Sequence, residues 1–421
     1  MTLDSSADVV VVGGGIMGAA ASYEMSRQGL RVTLVDRREV ASEQSGRNWG
    51  FVRQQGRSPA ELPLMMAANA RWQQLPDELD ASIGWIQGGN LALADSADAK
   101  RRYLDWLEVA RRHGLPSHRA DNAEVQRLVP GLRMPFCEAI YLPTDGSADP
   151  VPATRAYVRA AQRAGTRVVT QSAVHSLLVS SGRVTGVATD QGTVRCGLVV
   201  CGAGASTRSL LRTVGLRLPQ SPVRETVCLT APLPPVARTT VWARGLAFRQ
   251  RADSRVVLSD GAEGDVDLTP DMLRQARFFA PALRRTWRHF RPHVGRTAVR
   301  DPLRRPAGDR TYEPAVNRSR VARSVANFRR ALPDAGPVTV ERQWAGIIDS
   351  TPDALPVIDR LDDPSGLVVA TGFSGHGFGL GPAVGQIVAD LVQGRRSEFD
   401  LTPFRYARFW DSPLRPPEAI L

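Results

Sequence analysis

A run of four valines, Val9 to Val12, breaks at once into Gly13-Gly14-Gly15, and this junction narrows the fold more than any other feature of the chain. A continuous apolar run of that length reads as a parallel strand buried on both faces. Ile16 to Gln28 then reads as a helix rich in alanine and methionine, closed by Gly29, and Arg31 to Val35 as a second strand ending at Asp36. The glycine spacing Gly13-x-Gly15-x-x-Gly18 has a mechanical meaning at each position. Gly13 permits the tight turn, Gly15 lets the backbone approach a pyrophosphate, and Gly18 lets the helix lie close on the strand. The helix start offers unpaired N–H groups and a positive dipole end to phosphates. Asp36 can accept from a ribose diol and would repel a 2′-phosphate. The unit therefore reads as a holder for the ADP half of a dinucleotide, with Gly13, Gly15, Ile16, Met17, Gly18, Asp36 and Arg37 as its contacts.

The remaining chain decides between dinucleotides. Helical patterns cover about 60–75, 98–113, 121–128 and 152–164. A meander follows: Arg167 to Val169, Val174 to Val179, Val184 to Thr189 and Thr193 to Arg195. Leu198 to Cys201 is again fully apolar and runs into Gly202-Ala203-Gly204, which predicts a return to the cofactor sheet. Thr226 to Thr230, Thr239 to Trp242, Leu246 to Arg251 and Val256 to Ser259 alternate as antiparallel strands do. A helical, arginine-rich stretch spans about 269–291, and 295–318 reads as a surface excursion. Val338 to Trp344 and Leu367 to Ala370 are late strands, and Pro382 to Gln393 is a closing helix after the block Gly372 to Gly379. An antiparallel middle and a single fingerprint fit FAD better than NAD, whose second half needs another parallel unit.

At 421 residues the chain exceeds one ordinary core. The expected fold class is α/β plus antiparallel β: a Rossmann-type FAD-binding domain interleaved with a mixed antiparallel-sheet substrate domain. Residues 1–90, 145–220 and 345–410 would form the first, and 91–144 with 221–344 the second.

The net charge of +12 resides almost wholly in arginine, since Lys100 is the sole lysine. The arginines are dispersed and accompany no nucleic-acid-binding motif, so no nucleic-acid partner is expected. Four cysteines, Cys137, Cys196, Cys201 and Cys228, form neither a CxxC pair nor a metal-ligand cluster. Neither a leader peptide nor a membrane span is expected, which points to a cytoplasmic protein.

The fingerprint, Leu198 to Cys201 with Gly202-Ala203-Gly204-Ala205-Ser206, and the block Gly372 to Gly381 together resemble the FAD-dependent D-amino-acid oxidase superfamily. Within it the chain is most similar to the sarcosine oxidase and glycine oxidase group, through Trp344-Ala345-Gly346, Thr351-Pro352-Asp353 and Gly372-Phe373-Ser374-Gly375-His376-Gly377-Phe378. The resemblance implies that Ser45, Gly46, Arg47 and Asn48 line the pyrophosphate and flavin. It places Val174 at the adenine, Ala203 and Gly204 beside the dinucleotide, and Gly375, His376, Gly377 and Phe378 under the flavin pyrimidine ring. Helix N–H groups beginning after Gly381 would stabilise negative charge there.

The activity implied is hydride transfer from the C–N carbon of an amino acid or secondary or N-methyl amine to flavin N5, with hydrolysis of the imine. Arg53 matches a family arginine that binds the substrate carboxylate, and a planar guanidinium suits that task. A surface ion pair is its alternative role. Arg249 is a second carboxylate candidate. Trp49 and Trp344 are apolar walls or core, His376 is a proton relay or a structural hydrogen-bonder, and Asp349 is an amine attractor or a cap. The family's covalent flavin cysteine falls near Gly346, so FAD is expected to be non-covalent, while the late lysine replaced by Gly379 is a missing carboxylate anchor. With no lysine to promote oxygen reactivity, the acceptor is oxygen or another electron carrier. A hydroxy-acid dehydrogenase and a flavin-bearing partner subunit of a larger complex are the alternatives. Acid precipitation is expected to release all yellow chromophore into the supernatant; chromophore retained in the washed pellet would contradict non-covalent binding.

Overall fold

The four valines are the middle of a six-stranded sheet and are all buried. The computed structural model describes residues 5–261, 264–267, 275–280, 290–293, 312–413 and 416–418. Fully burying each such side chain contributes about 1.5–3 kcal/mol, which is why a strand with no polar face lies at the centre. The strand order is Val357–Leu361, Leu367–Thr371, Leu198–Cys201, Val9–Val12, Val32–Val35, Arg167–Val169. All neighbours run parallel except the antiparallel first pair.

Register brings the strand ends level. Val12 pairs with Val35 on one side and Cys201 on the other, and Cys201 pairs with Val369. The turns at Gly13, Asp36, Gly202 and Gly372 therefore emerge along one edge. From the Val9–Val12 strand the chain first builds to one side and later to the other. The crevice at such a reversal is where open parallel sheets bind ligands.

The helix Ile16–Arg27 packs between Pro150–Arg163 and Gly377–Val392. The last helix begins at Gly377, five residues before its expected start at Pro382. Its glycines are packing sites rather than a turn. A Cβ on Gly381 would sit 2.5 Å from Ile16 Cγ1, and one on Gly379 would sit 3.1 Å from Met65 Cε. Pro382 lies inside the helix, where it cannot donate to the preceding turn. Trp72 Nε1 donates to Gly379 O and Arg71 Nη1 to Pro382 O, so side chains from Leu62–Glu78 satisfy carbonyls flanking that break.

The middle of the chain forms a ten-stranded sheet that is mixed rather than purely antiparallel. Asn90–Ala94 pairs parallel with Thr240–Ala243 and antiparallel with Glu138–Leu142. Neither Asn90–Ala94 nor Glu138–Leu142 is among the expected strands, the former because its alanines have weak strand preference. Val340–Ser350 pairs along the whole of Ser221–Thr230, so the expected domain boundary at 344/345 falls inside one strand. Buried ion pairs from Arg320 to Asp260 and Asp265 fix the helix Arg318–Ala331 onto this sheet. The arginine-rich helix expected at 269–291 is described at 275–280, which is helical, and at 290–291, which belongs to the strand Phe290–His293. The rest of that stretch, and 295–311 of the expected excursion, lie outside the described residues.

A Cβ at Gly385 would approach Ala20 Cβ to 2.7 Å and its carbonyl carbon to 2.9 Å, whereas one at Gly197 would meet nothing within 4 Å. Gly385→Ala is expected to cost about 1–3 kcal/mol by overpacking, read as a lowered thermal midpoint, while Gly197→Ala should leave the midpoint unchanged.

Candidate active site

Three segments of backbone meet at the sheet edge with no room for side chains between them. Gly13 has φ +109°, and a Cβ there would lie 2.5 Å from Gly202 O. One on Gly18 would lie 1.9 Å from Gly13 O. Beside them opens a cleft of about 220 Å³ whose lining includes Gly13, Gly15, Asp36, Arg37, Ser45, Val174, Ala203 and Gly204. Eight expected cofactor residues thus share one cavity. Ile16, Met17 and Gly18 lie behind it, on the buried face of the helix. Gln44, Ser172, His175, Ser206 and Ser209 also line the cleft and were not anticipated. They are polar residues without a spacing that marks them.

Asp36 closes one end. Its carboxylate accepts from Gly14 N at 2.6 Å and Arg38 N at 2.7 Å. Burial outweighs these bonds and raises its pKa to about 6. Ser45 Oγ accepts from Ile16 N at 2.8 Å, so a first-turn N–H of the helix is met from the next loop rather than by its own cap.

Gly46 and Arg47 lie in the one-turn helix Gln44–Arg47, Asn48 caps it, and none of the three is part of the cleft lining. A Cβ on Gly46 would strike Ala41 O, and Asn48 spans Ser45 O and Gly50 N. The Arg47 guanidinium donates to Ser42 O and Ala345 O and pairs with Glu313 at 2.6 Å. Asp349 is a buried hub rather than a simple cap. It accepts from Gln44 Nε2, Gln220 Nε2, Thr371 Oγ1 and Gly372 N, at 2.7–3.1 Å. Burial raises its pKa despite these donors. Both its oxygens are spent on holding the loop, the last parallel strand and the large sheet together.

Beyond Asn48 the chain pairs as Phe51–Val52 with Gly146–Ser147 in a small two-stranded sheet, beside the strands Thr240–Ala243 and Leu246–Gln250 of the large sheet. Trp49 lies 5.1 Å from Trp242, and the Arg53 guanidinium lies 5.0 Å over the Trp242 ring. Arg249 is buried, donates to Trp49 O and pairs with Asp149 at 2.7 Å, while its Nη1 has no hydrogen-bond partner. The structure thus brings Arg53, Arg249 and Trp49 together around Trp242, a residue the sequence did not single out. Trp344 stands apart, donating to Arg47 O at 2.9 Å. Asp145, fully buried, accepts from Gln54 N and Gln55 N and so fixes the loop carrying Arg53. Burial, with Arg57 nearby, lowers the Arg53 pKa to about 9, still cationic at neutral pH.

Gly375 to Phe378 follow the last parallel strand. Gly375 has φ +89° and faces Ile348, Gly377 packs against Phe373 and Met17, and the Phe378 ring packs tilted against buried Trp72. His376 Nδ1 lies 3.0 Å from Glu61, whose side chain is wholly buried. Nothing in Ser58-Pro59-Ala60-Glu61 distinguishes Glu61 from an ordinary helix-start acid.

The donor set suits an ADP-bearing cofactor: backbone at Gly13 and Gly15, a carboxylate at the far end, and a Gly204 position that a Cβ would close against Gln44 Oε1. Among the described residues no helix is long and apolar enough to cross a membrane. Comparison with known proteins agrees. The family profile described as FAD dependent oxidoreductase matches residues 8–391. A glycine oxidase of Geobacillus kaustophilus is 27% identical over 416 residues, covering 95% of this chain and 97% of that protein. An N-methyl-L-tryptophan oxidase of Salmonella enteritidis is 26% identical over 409 residues, covering 96% and 99%. An L-amino acid deaminase from Proteus myxofaciens, solved with anthranilate, shares the fold with TM-score 0.90 at 24% identity, covering 97% of this chain and 95% of that one.

Burial raises the Asp36 pKa to about 6, so above that value its side chain is a carboxylate, which can accept from a ribose diol. Affinity of the apoprotein for FAD is expected to weaken as pH falls through about 6. Asp36→Asn should flatten that profile and weaken binding about tenfold at pH 8, measured by quenching of flavin fluorescence.

Proposed function

Because the chain belongs to the family of FAD dependent oxidoreductases, we propose that it oxidises the C–N bond of an amino acid or an N-methyl amino acid. Bound FAD supplies the two-electron acceptor for the hydride leaving the carbon next to nitrogen. The amine N–H proton is lost with it, and water hydrolyses the resulting imine to a carbonyl compound and ammonia or an amine. The relatives named above act on glycine, N-methyl-L-tryptophan and L-amino acids according to their names, and all are amine substrates carrying a carboxylate.

The observation that carries the reading is the placement of Arg53 and Arg249. Both are buried, and both lie against the Trp49–Trp242 pair. A guanidinium held in a desolvated site binds a carboxylate far better than one in water. Arg249 keeps an unpaired Nη1 for such a ligand while Asp149 balances its charge. The indoles of Trp49 and Trp242 supply apolar walls that exclude water from the neighbouring carbon. The cofactor residues proposed are the cleft lining together with Gly375 to Phe378. Cys196, Cys201 and Cys228 are buried and Cys137 is exposed, and none lines the cleft, which supports FAD held without a covalent bond. The six-stranded sheet is the core of the proposed FAD-binding unit, and the ten-stranded sheet that of the substrate unit.

Holoprotein supplied with amino acids, N-methyl amino acids and hydroxy acids, in air or with a redox dye, is expected to form oxo acid and ammonia or methylamine from the amines alone. Oxo acid from hydroxy acids instead would overturn the reading. Faster turnover with dye than with air would identify a dehydrogenase. Arg53→Ala should raise KM for a carboxylate-bearing amine by roughly 10–100-fold, the loss of a charge-assisted pair. An unchanged KM would remove Arg53 from the site.

A further inference from the structure

Glu61 is the least expected charged group in the molecule. It sits at the start of the helix Leu62–Glu78, wholly buried, with its carboxylate 3.0 and 3.3 Å from one nitrogen of His376. His376 in turn immediately precedes Gly377–Val392, the helix whose start abuts the glycine turn after the last parallel strand. Its backbone N donates to Phe373 O at 2.7 Å, so the residue is fixed at both ends. Arg57, four residues before Glu61, is buried too. Its Nε donates to Arg53 O, and its Nη1 has no hydrogen-bond partner.

An ionised carboxylate only accepts hydrogen bonds, so the nitrogen facing it must carry the proton. Burial pushes the Glu61 carboxyl upward, but His376, Arg57 and Arg53 outweigh burial and hold it below the ordinary glutamate range. Burial, reinforced by Arg57 and opposed by Glu61, holds His376 below the ordinary histidine range. At neutral pH the pair is therefore carboxylate and neutral imidazole. A neutral ring protonated at Nδ1 has a lone pair at Nε2.

We propose that Glu61 is a positioning residue: its buried carboxylate fixes His376 as the neutral Nδ1–H tautomer, leaving Nε2 as a hydrogen-bond acceptor for an N–H group at the cofactor turn. The last part rests on the proposed amine-oxidising function; the tautomer does not. An acceptor at this point suits an amine, which donates, and disfavours a carbonyl, which only accepts. The arrangement also keeps imidazolium charge away from the start of the last helix, so the positive end there is that of the backbone alone. A neutral histidine held by a buried acid is thus a selectivity device rather than a charge.

The tautomer is read directly from long-range proton–nitrogen correlation spectra of protein labelled with ¹⁵N-histidine, with His376 assigned through His376→Gln. Wild type is expected to show protonated Nδ1 and bare Nε2 at pH 7–8. Glu61→Gln keeps an acceptor oxygen and should keep that tautomer, with kcat/KM for the amine within about threefold of wild type. Glu61→Ala should shift the ring toward Nε2–H and lower kcat/KM about tenfold while leaving FAD affinity within twofold, because one oriented hydrogen bond is lost. A merely structural Glu61 would instead lower FAD affinity and the thermal midpoint with the tautomer unchanged, which would overturn the proposal. Wild-type His376 protonated at Nε2, or at both nitrogens, would overturn it without any variant. A holoprotein that oxidises no amine while showing the Nδ1–H tautomer would defeat the functional reading and leave the tautomer assignment standing.

Discussion

The cofactor half of the molecule depends on a contact that only bare backbone can make. Gly18 lies so close to Gly13 that an added Cβ would fall 1.9 Å from its carbonyl oxygen, and one on Gly13 would fall 2.5 Å from Gly202 O. These two approaches bring the first helix down onto the first strand and seat the Leu198–Cys201 turn beside it. Without them the helix start would stand away from the sheet edge, and the N–H groups of its first turn would face no common point. The level register of Val12, Val35 and Cys201 makes the geometry a property of the sheet rather than of one loop. The same logic recurs on the helix's other face, where Gly381 and Gly385 admit Ile16 and Ala20.

A second constraint joins this half to the large sheet. Val340–Ser350 is paired with Ser221–Thr230 from end to end and carries Asp349 one residue before its last. That carboxylate gathers Gln44 from the cofactor loop, Thr371 and Gly372 from the last parallel strand, and Gln220 from the start of the large sheet. Four donors on one buried acid replace the water it has lost, which is the condition for keeping such a group inside. The cleft and the large sheet are consequently tied to one buried carboxylate, with the glycine turns on the cleft side and Arg249 on a strand of the large sheet.

Much of this was legible because its signals are local. Val9 to Val12, the glycine spacing and Asp36 encode strand, turn, helix and acceptor within one short stretch, and the boundaries of the Leu198–Cys201 strand follow from its apolar run. Long-range partners were not legible. Glu61 looks like a helix-start acid, and only the fold brings His376 to it across 315 residues. Asp349 beside Ser350-Thr351 looks like a cap until burial and four donors are seen. Trp242 lies on a strand whose face is set by its neighbours. The start of the last helix was misplaced because Gly377, Gly379 and Gly381 read as a turn by propensity, whereas tight helix packing overrides propensity there. Gly46, Arg47 and Asn48 carry the family's spacing; Asn48 spends its side chain on neighbouring backbone, and Arg47 reaches Ser42, Ala345 and Glu313.

In the proposed function, electrons pass from an amine held beside Arg53 and Arg249 to FAD held at the cleft. Anaerobic mixing of the holoprotein with a carboxylate-bearing amine, followed by its visible absorption, decides whether they do. Full bleaching of the flavin band is expected in a single turnover, with none from the corresponding hydroxy acid. A flavin that stays oxidised with every amino acid and N-methyl amino acid tried, but bleaches with a hydroxy acid, would contradict it.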